Sequence, residues 1–175
     1  MNKFYALPLG SVVIIITFSI LIWAGIEQLG KENKRFGKWW RYVVNIILCI
    51  VSIFLIIRMT LLGRTVGQQE IELMPFHTFT TMAYNNEAAR TLLMNVVLFL
   101  PFGLTIPYVL EGVKENRRRW IYCILIGCGI SVGIEALQYC LGMGLAETDD
   151  VICNTVGCGL VILADVIGRR KLKEI

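Results

Sequence analysis

The sequence predicts an all-α fold: a polytopic transmembrane helical bundle that forms one domain over residues 1–175. Two observations lead to this fold class. Of the 175 residues, 56% are hydrophobic and 17% are charged, and the mean hydropathy is +0.66, which is too apolar for an ordinary soluble domain. The apolar residues also form long runs instead of the alternating or narrow-stripe patterns of soluble strands and helices.

Five of these runs predict membrane-spanning helices. They cover residues 7–25, 42–62, 91–110, 120–141 and 151–167. Each has the length that about 30 Å of hydrocarbon requires of a helix. The first run is too long for a signal peptide and no A-x-A-like cleavage site follows it, so we expect it to remain as the first span.

The basic residues of the connecting segments predict the orientation. One set of segments holds 13 Lys and Arg residues: 26–41, 111–119 and 168–175. The opposite set holds three: 1–6, 63–90 and 142–150. Because Lys and Arg accumulate on the cytosolic side, we expect the N-terminus outside and the C-terminus in the cytosol. The net charge of +4 is then a consequence of topology. We therefore expect membrane lipids, and no nucleic acid, as partners.

A buried acid marks the candidate site. Ionisable side chains are costly in hydrocarbon and persist mainly where they face a partner or a water-filled cavity, so Glu135 inside the fourth span indicates a site. Ser131, Glu135 and Gln138 follow i, i+4, i+7 spacing and share one helix face. The fifth span repeats this spacing with Asp150, Asn154 and Gly157.

The two stripes lie at matching depth on adjacent antiparallel helices, so we expect them to face each other in a polar site near the outer leaflet. Arg58 and Asn95 lie at a similar depth in the second and third spans. The full set of candidate ligand-binding residues is Arg58, Arg64, Asn95, Ser131, Glu135, Gln138, Asp149, Asp150 and Asn154.

A structural interpretation of the same residues stays open. Arg58 and Glu135 could form a buried ion pair, and the amides could join helices at about 0.6 kcal/mol per hydrogen bond. Gly129-x-x-x-Gly133 would then be a close-packing surface. Pro101, in the middle of the third span, should kink that helix, either as ordinary packing or as a bend that opens the outer side.

The six cysteines lie in predicted spans, form no C-x-x-C and have no neighbouring His. We interpret them as packing residues and expect no metal and no cofactor. Cys140 and Cys153 flank one outer loop and could pair.

Three blocks resemble the signature of a known family. Asn95-x-x-x-Phe-x-Pro-x-Gly103, Ser131-x-x-x-Glu135-x-x-Gln138 and Asp150-Val-Ile-x-Asn154-Thr-x-Gly157 are similar, in order and topology, to the blocks of the VanZ-like family. Arg64 and the Leu73-Met-Pro-Phe76 segment are similar to its preceding loop motif. The resemblance covers about residues 64–159. It implies a Gram-positive-type plasma membrane, a role near cell-wall precursors, and low-level resistance to teicoplanin, a glycopeptide antibiotic with a fatty-acyl tail. It implies no particular reaction.

Three function classes are open. The first is a resistance protein whose polar site engages the lipid-tailed antibiotic or a lipid-linked wall precursor. The second is a membrane enzyme acting on a lipid-linked glycan, with Glu135 and Asp150 as acid and base and His77 as a further catalytic candidate. The third is a transporter, which five spans without an internal duplication disfavour. We favour the first class, and whether the chain is an enzyme stays open.

The predicted topology can be tested with cysteine labels on intact cells. Glu72→Cys and Thr148→Cys should react with a membrane-impermeant reagent because both lie in outer segments. Glu115→Cys should react only after permeabilisation, and the unsubstituted chain gives the background from the native cysteines. Labelling of Glu115→Cys on intact cells would contradict the orientation.

Overall fold

The structure is a computed structural model that describes residues 14, 16–25, 34–61, 67–110 and 119–171. These residues are mostly helical and include one short pair of strands. In chain order the elements are α1 (Ile16–Gly25), α2 (Lys34–Thr60), β1 (Gln68–Glu72), α3 (His77–Thr81), α4 (Asn86–Val109), α5 (Arg119–Cys140), β2 (Met143–Glu147) and α6 (Thr148–Lys171). Arg64, Glu115 and much of the first predicted span lie outside the described residues.

Three of the described helices are long and apolar enough to cross a membrane. Their apolar stretches are Trp39–Thr60 in α2, Asn86–Val109 in α4 and Arg119–Cys140 in α5. These stretches match the second, third and fourth predicted spans, so the prediction of a helical fold with apolar helices of membrane-spanning length is confirmed for these three. The count of five spans and the orientation stay predictions. The described part of the first run, Ile16–Gly25, is a shorter apolar helix, and α6 is not among the three long apolar helices of the described residues.

One side of α2 is buried and its other sides are exposed. The buried residues recur every three or four positions: Asn45, Leu48, Cys49, Ser52, Ile56 and Thr60. The Ser52 hydroxyl donates to the carbonyl of Leu48 and the Thr60 hydroxyl to that of Ile56, both at 2.7 Å. The hydroxyls of Ser52 and Thr60 are therefore satisfied within their own helix, and the stripe can pack against α4.

α4 is the most buried of the three apolar helices, and it packs mainly against α6 and α2. It begins after Asn85, whose side-chain oxygen accepts the N–H of Glu87 at 3.0 Å. The helix continues through Pro101 and Pro107, and every residue from one proline to the other is buried. Both prolines and the residues between them therefore lie inside the protein.

Two glycines bring the backbones of α4 and α6 into contact. A Cβ at Gly157 would overlap the carbonyl oxygen of Val96, and a Cβ at Gly103 would overlap the carbonyl oxygen of Cys158. By contrast, a Cβ at Gly129 or Gly133 of α5 would meet no described atom within 4 Å. The interpretation of Gly129-x-x-x-Gly133 as a close-packing surface is therefore wrong, since the close contact lies between α4 and α6.

β1 and β2 pair in parallel, with Gln68 opposite Met143 and Glu72 opposite Glu147. The sequence predicted loops for both segments, so the all-α class is correct for the helices and incomplete for these strands. Each strand has five residues and pairs with one other strand within the described residues. A strand this short gives no clear period-two pattern in the sequence. We call the end of the bundle that carries this pair the strand end. There α2 and α5 end, and α4 and α6 begin.

The contact between α4 and α6 predicts the effect of one methyl group. Gly157→Ala should destabilise the protein by about 1–3 kcal/mol, because the methyl group must displace the backbone of α4. Gly159→Ala in the same helix is the matched control, since its Cβ would meet only Ile124 Cδ1 at 3.9 Å. Thermal unfolding in detergent measures both variants. Equal melting temperatures for the two variants would contradict the contact.

Candidate functional site

The polar stripes of α5 and α6 face each other. Asn154 Nδ2 donates to Ser131 Oγ at 2.8 Å, and both side chains are fully buried. The two helices run antiparallel, so residues nearer the end of α5 lie opposite residues nearer the start of α6. This bond confirms that spans four and five meet at Ser131 and Asn154, whereas Gly157, the third member of the α6 stripe, contacts Val96 of α4. Which residues bind a ligand stays a prediction.

Glu135 lies one turn closer to the strand end on the same face of α5. Its side chain is buried, and Oε2 accepts the backbone N–H of Glu147 at 3.1 Å. Glu147 is the last residue of β2, directly before α6. Glu135 therefore connects α5 to the point where the chain enters α6, and its carboxylate faces protein instead of lipid.

Asp149 holds the segment that precedes α3. Its Oδ1 accepts the N–H of Phe76 at 2.5 Å, and its Oδ2 accepts the N–H of Thr78 at 2.7 Å. Phe76 has φ 66°, a left-handed conformation that non-glycine residues rarely adopt. Two charge-assisted hydrogen bonds to one buried carboxylate stabilise this backbone against its strain.

Further acids accept hydrogen bonds around Asp149. The hydroxyl of Thr78 donates to Glu147 Oε2 at 2.9 Å, and the backbone N–H of Met74 donates to Glu72 Oε1 at 3.0 Å. Glu72 Oε2 also lies 4.0 Å from Nδ1 of His77. His77, a catalytic candidate from the sequence, is half exposed at the start of α3, outside the buried contact between α5 and α6.

Gln138 ties α5 to the end of α2. Its Nε2 donates to the carbonyl of Thr60 at 2.9 Å, and its side chain is 1% exposed. Its Oε1 is buried and accepts no hydrogen bond from a described residue. Asn154 Oδ1 and Asn95 Nδ2 are buried in the same way, without a partner among the described residues. Three buried amide groups thus keep hydrogen-bonding capacity that a ligand or water could use.

The other candidates have different surroundings. Asp150 is buried in the first turn of α6, beside Asp149. Arg58 lies in the last turn of α2 with an exposed side chain, while Glu135 is buried. Arg64 is outside the described residues.

All six cysteines are free thiols, including Cys140, which is exposed, and Cys153, which is buried. The pairing considered for Cys140 and Cys153 is therefore absent from the structure. Among the described residues, no group of three or more His, Cys, Asp or Glu side chains could hold a metal ion.

Sequence reasoning did not single out Thr60, Thr78 or Glu147. Glu147 carries a local signal, since it stands in an acidic run that ends at Asp150 directly before an apolar stretch. The two threonines carry none, because their partners lie about 70 residues or more away along the chain.

The comparisons with known proteins agree with the three blocks. A family model described as VanZ/LLP1 matches residues 4–167, which is most of the chain. A search of the curated proteins and a search of the solved structures gave no match. The match extends beyond residues 64–159 in both directions, so the first two predicted spans are also part of the family pattern.

The bonds to Asp149 predict a local effect of removing its charge. Asp149→Asn should speed hydrogen–deuterium exchange of the backbone amides in residues 73–81. One carboxylate oxygen becomes an NH₂ group, which cannot accept an N–H. An unsatisfied buried donor costs about 1–3 kcal/mol. Glu70→Gln, an exposed acid in β1, is the matched control. Hydrogen–deuterium exchange of this peptide measures both. An unchanged rate in Asp149→Asn would show that these bonds do not hold the segment.

Proposed function

The chain belongs to the VanZ/LLP1 family, and from this premise we propose that it protects a Gram-positive-type cell against lipid-tailed glycopeptides of the teicoplanin type. In this proposal it is a multi-pass protein of the plasma membrane whose strand end faces the cell wall. The polar residues at that end engage an amphiphile, either the tailed antibiotic or a lipid-linked wall precursor.

The observation that carries the proposal is the set of buried amides at the strand end. Gln138 Oε1 and Asn154 Oδ1 are acceptors without a donor among the described residues. A buried polar group without a partner is costly, so such groups persist where something else satisfies them. Both belong to blocks through which the chain resembles its family, which supports a role in binding over simple packing.

The charges around these amides favour a ligand that donates hydrogen bonds. Glu135, Asp149 and Asp150 are buried acids in the adjoining turns of α5 and α6. Amide N–H, hydroxyl and ammonium groups suit such surroundings, and the sugar and peptide parts of a glycopeptide or wall precursor supply them. The exposed Arg58 at the end of α2 could attract a phosphate or carboxylate of the same ligand.

The bilayer explains why an amphiphile is favoured over a water-soluble ligand. The apolar helices α4 and α5 end or begin at the strand end, so the polar residues lie where a headgroup would meet the hydrocarbon. A ligand anchored by an acyl chain is confined to that depth, and confinement raises its effective concentration at the site.

The test is antibiotic sensitivity of a susceptible host that expresses the chain. We expect wild type to raise resistance to teicoplanin but not to vancomycin, which lacks the acyl tail. Glu135→Gln should accumulate at least as well as wild type, because the amide can still accept the N–H of Glu147 and a buried charge is removed. We expect this variant to be as sensitive as the empty-vector strain.

Glu87→Gln is the matched control for the loss of one acid. Glu87 is exposed in the first turn of α4 at the same end of the bundle, and this variant should keep full protection. If Glu135→Gln protects as fully as wild type, the Glu135 carboxylate is not required for the proposed function. Mass spectrometry of lipid-linked wall precursors from the same cells then separates binding from catalysis, since an enzyme acting on them would change their masses.

A further inference from the structure

A group of exposed apolar residues lies beside the strand pair. Ile71, Leu73, Met74 and Phe76, here called the apolar rim, expose 53%, 69%, 66% and 58% of their surfaces. They follow one another within six residues, so the exposure belongs to one surface and not to scattered side chains. An apolar surface of this kind indicates a contact partner.

Two hydrogen bonds fix the level of the rim relative to the helices. Gln69 Nε2 donates to the carbonyl of Tyr139 at 3.0 Å, in the last turn of α5. The N–H of Phe76 donates to Asp149 in the first turn of α6. α5 has 22 residues, about 33 Å, which is close to the hydrocarbon thickness of a bilayer. If α5 spans a bilayer along its length, the hydrocarbon ends at the level of the rim.

The apolar surface continues from the rim onto α5. Leu137 and Tyr139, in its last turn, and Leu141, directly after it, expose 40–49% of their surfaces. A membrane-spanning helix presents such residues to acyl chains. Because β1 is bonded to this same turn through Gln69, the acyl chains that cover α5 also border the rim.

Three backbone N–H groups in or beside the rim are satisfied within the protein. The N–H groups of Met74, Phe76 and Thr78 all donate to carboxylates within the protein, and Pro75 has no N–H. Ile71 lies in the β1–β2 ladder. Backbone donors must be satisfied internally before a segment can leave water, and an ordinary surface loop would leave them to solvent.

We propose that the apolar rim inserts its side chains among the acyl chains of the adjoining leaflet. The rim then acts as an interfacial anchor that keeps β1, and through it Asp149, at the membrane surface. Its partner is the lipid of the surrounding bilayer, by hydrophobic contact and without headgroup specificity. This inference does not rest on the proposed function, because it requires no antibiotic or wall precursor.

Fluorescence quenching in vesicles tests the insertion. A variant with Cys128→Ala and Cys140→Ala provides the background, because the other four cysteines are buried. Met74→Cys and, separately, Leu73→Cys then carry an environment-sensitive NBD label in vesicles of phosphatidylcholine and phosphatidylglycerol. Glu70→Cys, exposed in β1, is the matched control, and Leu137→Cys on the apolar helix α5 is the reference for a lipid-facing label.

We expect nitroxides on the lipid acyl chains to quench Met74→Cys and Leu73→Cys several-fold more than Glu70→Cys, and as strongly as Leu137→Cys. Iodide in the buffer should quench Glu70→Cys several-fold more than either rim label. Rim labels that iodide quenches as strongly as Glu70→Cys would overturn the inference. Rim labels shielded from both quenchers would also overturn it, since they would indicate burial against another protein surface such as a second copy.

Discussion

At Gly157 the backbone of α6 lies so close to the carbonyl of Val96 that a methyl group would not fit between the two helices. This contact fixes the rotation of α6, because a helix that touches its neighbour by backbone atoms cannot turn without separating from it. Asn154, three residues earlier, is thereby turned towards Ser131 of α5. Cys158, the next residue, lies against Gly127 of α5, where a Cβ would come within 2.9 Å of its sulfur. The meeting of the polar stripes thus depends on small residues deeper in the bundle.

Helical periodicity was sufficient to predict the meeting of α5 and α6. Ser131 and Asn154 each belong to an i, i+4, i+7 stripe, and antiparallel neighbours of known depth leave few other arrangements. The positions of the glycine contacts could not be predicted in this way. Every small residue in an apolar run permits close packing, and only the three-dimensional arrangement selects which of them makes a contact. Gly133 is an example: it lies four residues after Gly129, as in a close-packing motif, but a Cβ added to it would have no described atom within 4 Å.

The strand end was the least predictable part, because its contacts join segments far apart in sequence. Asp149 was expected to bind a ligand, yet both of its oxygens accept backbone N–H groups from the segment before α3. Nothing in either segment alone signals that pairing. The same finding changes how the acids are interpreted: Glu135, Glu147 and Asp149 each accept a hydrogen bond that supports the fold. An acid in such a family block therefore supports the fold in addition to any role in binding. The amides of Gln138 and Asn154 also make one structural hydrogen bond each, but their oxygens accept none from the described residues.

The parallel pairing of β1 and β2 has a consequence for the order of assembly. Gln68 pairs with Met143, so the first strand is synthesised 75 residues before its partner. At about 5–20 residues per second, translation takes roughly 4–15 s to cover that interval. During this time Phe76 also lacks the carboxylate that supports its left-handed backbone, since Asp149 is made later still. The strand end must therefore close last, after α4 and α5 have been made, and a chain interrupted before α6 would leave this end of the bundle open.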